Sequence, residues 1–137
     1  MAEIDQDEVA QALDYLAELA DAMIRCGEAI DIVRVRLHEA AESLGLGDVE
    51  MMVLPTAFLI QHGDPGARQS RLVSVTMGSL RLDQVASVYE LVGDTIDGTV
   101  DTYVGRGRLE AILAAMPAYG PWIRTFGLGV LSLGFAL

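Results

Sequence analysis

The chain has 137 residues, enough for one domain with a real hydrophobic core, and its 52% hydrophobic and 21% charged residues exclude disorder as its main state. The net charge is −11 and all nine basic residues are arginine; this balance gives no electrostatic footprint for nucleic acid and disfavours an anionic membrane surface for the domain as a whole. Cys26 is the only cysteine, which excludes an internal disulfide, and one cysteine with two widely spaced histidines forms no zinc pattern.

The N-terminal segment is acidic and lacks the basic and apolar regions of a signal peptide, so the chain reads as cytosolic. Its spacing predicts a first helix over Gln6–Arg25, with Val9, Leu13, Leu16, Ala20, Met23 and Ile24 on the apolar stripe. Asp5 is the expected N-cap, with Glu8 as its capping-box partner, and Asp14, Glu18 and Asp21 take the opposite face. Gly27 ends this helix and opens a second over residues 28–44, with a stripe of Ile30, Val33, Leu37, Ala41 and Leu44 stopped by Gly45 and Gly47. The two helices read as an antiparallel hairpin.

The period then changes. Val49, Met51 and Val53 share one face of a first strand, Pro55 marks a break, and Ala57–His62 form a second strand. The turn-forming "GDPGARQ" leads to a third strand over residues 71–77, with Arg71, Val73, Val75 and Met77 on one face. Helical spacing returns with Leu82, Val85, Val88, Tyr89, Val92 and Ile96. "DGTVD" breaks it, and a short fourth helix is expected over residues 107–116. The fold class is therefore α+β. It comprises a helical hairpin, a three-stranded mainly antiparallel sheet, two further helices and a hydrophobic C-terminal helix, in the order ααβββαα.

That last helix falls in residues 125–137, which carry no charge. The run is too short for a bilayer span, which takes about 20 apolar residues. Trp122 and Arg124 precede it, as aromatic and basic anchors do at a cytoplasmic interface, and Gly127, Gly129 and Gly134 suit a membrane helix. From composition alone, a buried helix of a soluble domain and the first half of a membrane helix are equally open.

No catalytic set is visible. "VTMGS" is not a nucleophile elbow, and neither "GLGDVE" nor "GRGRLE" matches a dinucleotide or phosphate fingerprint. His38 reads as an exposed helix residue, His62 as a surface hairpin residue, and the six methionines as core fillers. Glu28 and Asp31 fall in the expected first turn of the second helix, where carboxylates complement the helix dipole. Thr56 sits between two apolar strands, where its hydroxyl is placed to satisfy a broken ladder. If Thr56 and the Cys26–Asp31 junction converge, they make a small polar pocket.

The order of these features resembles the N-terminal cytoplasmic domain of the threonine/serine exporter family. In that family a small pair ends the first helix, matched here by Cys26-Gly27, and a Val-Glu element lies in the second, matched by Val33-Arg34. A Leu-Gly end and a Pro-Thr element follow, matched by Leu44-Gly45 and Pro55-Thr56. An Arg-containing strand and helix come next ("SRLVSVTMGSLRLDQVASVYELV"). A Pro-aromatic segment then leads into the first membrane helix ("LEAILAAMPAYGPWIRTFGLGVLSLGFAL"). Two positions depart from the pattern: Cys26 replaces a small hydroxyl residue, and Arg34 stands where Glu is common.

The resemblance implies a cytoplasmic domain over residues 1–121 and the start of a first transmembrane helix over residues 122–137. The rest of the exporter's membrane domain is the implied partner, at the cytoplasmic face of the cell membrane, and a homo-oligomer is expected. No cofactor, metal or nucleic acid is expected, nor enzymatic activity; the role is gating, sensing or assembly. The alternatives are a free-standing ligand-binding or regulatory domain and, with less support, a small hydrolase-like enzyme. For a threonine- or serine-sensing domain the expected site is Gly27, Glu28, Asp31 and Thr56. Backbone N–H groups of the second helix would take the carboxylate, Glu28 or Asp31 the ammonium group, and Thr56 the side-chain hydroxyl.

Overall fold

The computed structural model describes residues 5–54, 56–76 and 78–115. Seven elements follow in the order ααβββαα: α1 (Gln6–Arg25), α2 (Ile30–Ser43), β1 (Val49–Leu54), β2 (Ala57–His62), β3 (Gln69–Ser74), α3 (Leu82–Ile96) and α4 (Thr102–Ala114). The three strands form one antiparallel meander in the order β1-β2-β3, and Met52, Leu59 and Leu72 share a cross-strand row. The expected C-terminal hydrophobic helix lies outside the described residues, as do Pro55 and Met77.

The axis of the domain is α1. It packs against α2, α3 and α4 and against β2 and β3, which is why its buried set is wider than one stripe and includes Ala12, Tyr15, Ala17, Leu19 and Ala22. Alanines at these positions let neighbours approach without side-chain entropy loss. The alternation of β1 and β2 turns Val49, Phe58 and Ile60 inward, all at or below 6% exposure. Arg71 sits at an inward position of β3 because Asp14 of α1 takes its guanidinium. The expected solvent face of α1 is thus a seam: Asp14 binds β3, Glu18 accepts from Arg106 of α4 at 2.9 Å, and Asp21 accepts from Thr76 N–H at 2.7 Å.

Three helices end alike. After α1, Gly27 N–H donates to Ile24 C=O and Glu28 N–H to Met23 C=O. The same pair of bonds closes α2 through Gly45 and Leu46, and α3 through Gly98 and Thr99. Each glycine has positive φ (82°, 85° and 77°), the left-handed geometry that glycine adopts without a Cβ penalty.

Several expectations need correction. Asp5 flanks α1, but its side chain makes no capping bond, so the Asp5–Glu8 box does not form. The α2 helix begins at Ile30 with Ala29 as N-cap, because the closing turn of α1 uses Glu28. Ile30, Leu82 and Tyr89 are 45%, 85% and 41% exposed rather than core residues. The third strand spans Gln69–Ser74, starting two residues before the expected boundary. The α4 helix starts at Thr102, since Asp101 accepts from Val104 N–H at 2.8 Å and overrides the weak helix propensity of Gly105 and Gly107.

Gln84 joins the start of α3 to the end of α4. Its Oε1 accepts from Arg81 N–H at 3.0 Å, and its Nε2 donates to Ile112 C=O at 3.0 Å. Arg81 N–H is a group that a helix start leaves without an intrahelical partner, and Ile112 C=O has besides Gln84 only the 3.3 Å bond from Ala115 N–H. Gln84 is 7% exposed, so Gln84→Leu should cost about 1–3 kcal/mol in chemical denaturation, the range for stranding a buried polar group. A cost near zero would show that water replaces these bonds.

Candidate functional site

The elements run between two ends of the domain. Gln69 Nε2 donates to Gln6 C=O at 3.2 Å, Arg71 meets Asp14, Thr76 meets Asp21, and Leu80 N–H donates to Arg25 C=O at 3.4 Å. β3 therefore runs alongside α1 in the same direction. The α1–α2 junction, the β1–β2 turn and the start of α3 gather at one end. Arg81 Nη2 donates to Ala115 C=O at 3.0 Å, so the end of α4 lies there too.

Gly27, Glu28 and Asp31 belong to this junction end. Gly27 is exposed and holds the left-handed turn. Glu28 precedes the N-cap of α2 rather than standing in its first turn. Its Oε1 accepts from Ala29 N–H at 3.1 Å and its Oε2 from the Tyr89 hydroxyl of α3. Asp31 is in the first turn of α2, its side chain 92% exposed and 4.0 Å from Arg34. Thr56 is exposed at the same end, and its carbonyl, rather than its hydroxyl, extends the ladder by accepting from Val75 N–H at 3.0 Å. Among the described residues no hydrogen bond links Thr56 to the other three.

The Tyr89 hydrogen bond holds the Glu28 carboxyl below its usual range, aided by Ala29 N–H. Reciprocally, accepting that bond makes Glu28 push the Tyr89 hydroxyl up to about 12. The lowered Glu28 value contributes stability above the ordinary carboxylate range, lost as pH falls through the shifted value. The raised Tyr89 value contributes below about 10 and is lost as pH climbs through about 12. In Tyr89→Phe, the Glu28 carboxyl carbon should titrate closer to an ordinary glutamate by NMR; an unchanged midpoint would remove Tyr89 as the cause. Spacing had placed Tyr89 on the apolar stripe, and only its phenolic oxygen hinted at a partner.

Two clefts lie elsewhere. A cleft of 780 Å³ along α1 and α4 is lined by Gln11, Glu18, Tyr103, Arg106 and Glu110, among others. A second, of 610 Å³, is bordered by Asp48, Glu50, His62, Asp64 and Arg68 at the β2–β3 turn. His62 Nδ1 is buried there without a partner among the described residues. Among those residues no group of three or more His, Cys, Asp or Glu side chains could hold a metal ion, and no helix is long and apolar enough to cross a membrane.

A family model described as "Putative threonine/serine exporter" matches residues 14–137. The chain belongs to the threonine/serine exporter family. The match takes in the helix junction, the sheet, α3 and α4 of this exporter-family chain, together with the uncharged run at 125–137. Searches of curated proteins and of solved structures return no match.

Proposed function

We infer that this chain is the cytoplasmic N-terminal part of a threonine/serine exporter and regulates transport rather than carrying substrate across the bilayer itself. The supporting observation is the span of the family match. It covers both the α+β body and the uncharged run 125–137, while no helix among the described residues can cross a membrane. On this reading residues 122–137 begin the first membrane helix and the remaining membrane domain is the body's partner. The body is neither an enzyme nor a nucleic-acid binder, and it works by gating, sensing or assembly.

The test is release of L-threonine and L-serine from cells expressing the complete reading frame, with the α+β body present or deleted. Release above that of cells lacking the protein, and altered by removing the body, is the expected result. Release that the protein does not affect would sink the reading.

Sensing by the body is a separate measurement. The N-terminus of α2 would meet the amino-acid carboxylate, Glu28 or Asp31 the ammonium group, and Thr56 the hydroxyl, with Gly27 keeping the approach open. The ammonium group would have to compete with Tyr89 for Glu28. Calorimetric titration of the folded chain with L-threonine should give heat that Glu28→Gln or Asp31→Asn reduces. No heat at millimolar ligand leaves the body with gating or assembly. For assembly, light scattering should report a dimer or larger species, and a monomer at high micromolar concentration would count against it.

A further inference from the structure

The two ends of the domain differ in charge and polarity. The distal segments 5–8, 45–48, 63–68 and 97–101 carry Asp5, Asp7, Glu8, Asp48, Asp64, Asp97 and Asp101, against Arg68 alone. The junction end carries Arg25 at the end of α1, Arg81 just before α3, and Arg34 and Arg36 in the first two turns of α2. Taken over the same turns, its acids are Asp21, Glu28, Asp31, Asp83 and Glu110: Asp21 holds Thr76 N–H and lies 3.9 Å from Arg25, Glu28 holds Tyr89 and Ala29, Asp31 faces Arg34, and Asp83 pairs with Arg81. Large apolar side chains are exposed at the same end, where they neighbour arginines, whereas at the distal end Tyr103 and Val104, 85% and 47% exposed, stand beside Asp101. At the junction end Leu54 is 45% exposed and Leu82 85%, and on α2 Ile30, Ile32 and Val35 are 45%, 47% and 55% exposed, interleaved with Arg34 and Arg36.

Apolar side chains mixed with arginines form the pattern of a surface that lies at a lipid headgroup boundary. The excess negative charge lies toward the distal end, whereas at the junction end Arg25, Arg34, Arg36, Arg81 and Arg108 balance Asp21, Glu28, Asp31, Asp83 and Glu110. The 20 residues of α1 put the distal end about 30 Å away, against a Debye length of about 8 Å. Ala115, the last described residue, is also held at the junction end, by Arg81. The uncharged run 125–137 follows from there.

We propose that the junction end is a membrane-facing surface that rests on anionic lipid headgroups through Ile30, Ile32, Leu54 and Leu82 with Arg34 and Arg36, and that the acidic end points into the cytoplasm. This rests on the exporter reading above and adds the orientation of the body and the lipid chemistry it meets. The α1–α2 junction and the Glu28–Tyr89 contact would then lie beside the bilayer, where a shift of the body is felt first.

The experiment uses the 137-residue chain bound to phosphatidylcholine vesicles with or without phosphatidylglycerol. In a Cys26→Ser background a polarity-sensitive fluorophore is attached at Thr56→Cys or, separately, at Asp64→Cys, with Asp97→Cys as a second distal position. Nitroxide on the lipid headgroups should quench the label at position 56 and leave those at 64 and 97 unquenched. Arg34→Gln with Arg36→Gln should weaken the headgroup-contacting population by about fivefold per arginine in phosphatidylglycerol vesicles only, the usual attraction of a basic side chain to an anionic surface. Equal quenching at both ends, or quenching unaffected by phosphatidylglycerol and by the arginines, overturns the proposal while leaving the exporter reading intact. A chain that fails to associate with either vesicle overturns both.

Discussion

Gly105→Ala is expected to destabilise the domain by about 2 kcal/mol, and to become neutral or stabilising once Tyr15 is cut back to alanine. A Cβ at position 105 would stand 2.5 Å from Tyr15 Cζ and 2.6 Å from its hydroxyl oxygen. The ring cannot swing away easily. Tyr15 is fully buried, and its hydroxyl lies 2.7 Å from Thr95 Oγ1. Thr95 spends its single hydroxyl proton on Leu91 C=O at 2.8 Å, so Tyr15 is the donor in that pair. Two effects oppose each other. Alanine gains about 1 kcal/mol of helix propensity over glycine, whereas overpacking a closed core costs about 1–3 kcal/mol. A gap far below van der Waals contact, against a ring fixed by burial and a hydrogen bond, places the cost at the upper end. Tyr15→Ala alone should cost about 3–5 kcal/mol, as truncation of a buried aromatic does. Denaturant unfolding of the two single variants and the double variant measures the coupling. Additive losses would mean that the two residues do not share one space.

Removing residues 116–137 should lower vesicle association by at least about a hundredfold while leaving cooperative thermal unfolding in place. The deleted segment holds Phe126, Leu128, Val130, Leu131, Leu133, Phe135 and Leu137 in its uncharged run. Full burial of one such side chain is worth about 1.5–3 kcal/mol, so losing two already gives that factor. The described core centres on α1 and closes through Tyr15, Phe58, Leu37, Ile60 and Leu91, all below 2% exposure. Flotation with vesicles and a thermal melt read the two halves of the expectation. Loss of the cooperative transition would assign residues 116–137 to the core.

The order of elements was legible in the sequence because long periodic segments dominate it. The bounds of α1 and β2 agree to the residue, since Gly27 on one side and the strand break and hairpin turn on the other leave little freedom. The start of α4 was not legible: Gly105 and Gly107 lower helix propensity, and the tertiary gain from packing Gly105 on Tyr15 outweighs them. The carboxylate face of α1 looked solvated because Asp14, Glu18 and Asp21 repeat at helical spacing, and nothing local announced partners 57, 88 and 55 residues away. The junction was visible as a cluster of Gly27, Glu28 and Asp31. The part played by Tyr89 was hidden, because half of a tyrosine's chemistry is apolar.

The central place of α1 sets an order on synthesis. It is made before the other six described elements, and the residues that enclose it come much later: Thr95 reaches Tyr15 across 80 residues, and Arg106 reaches Glu18 across 88. At about 5–20 residues per second, a nascent α1 waits several seconds for α3 and α4 with its apolar sides uncovered. Such long-range closure also slows folding relative to a bundle of local contacts. The newborn chain therefore carries α1 uncovered during that interval, and the body can close only once the end of α4 at Ala114 has cleared the ribosome, by which time the uncharged run behind it has already been made.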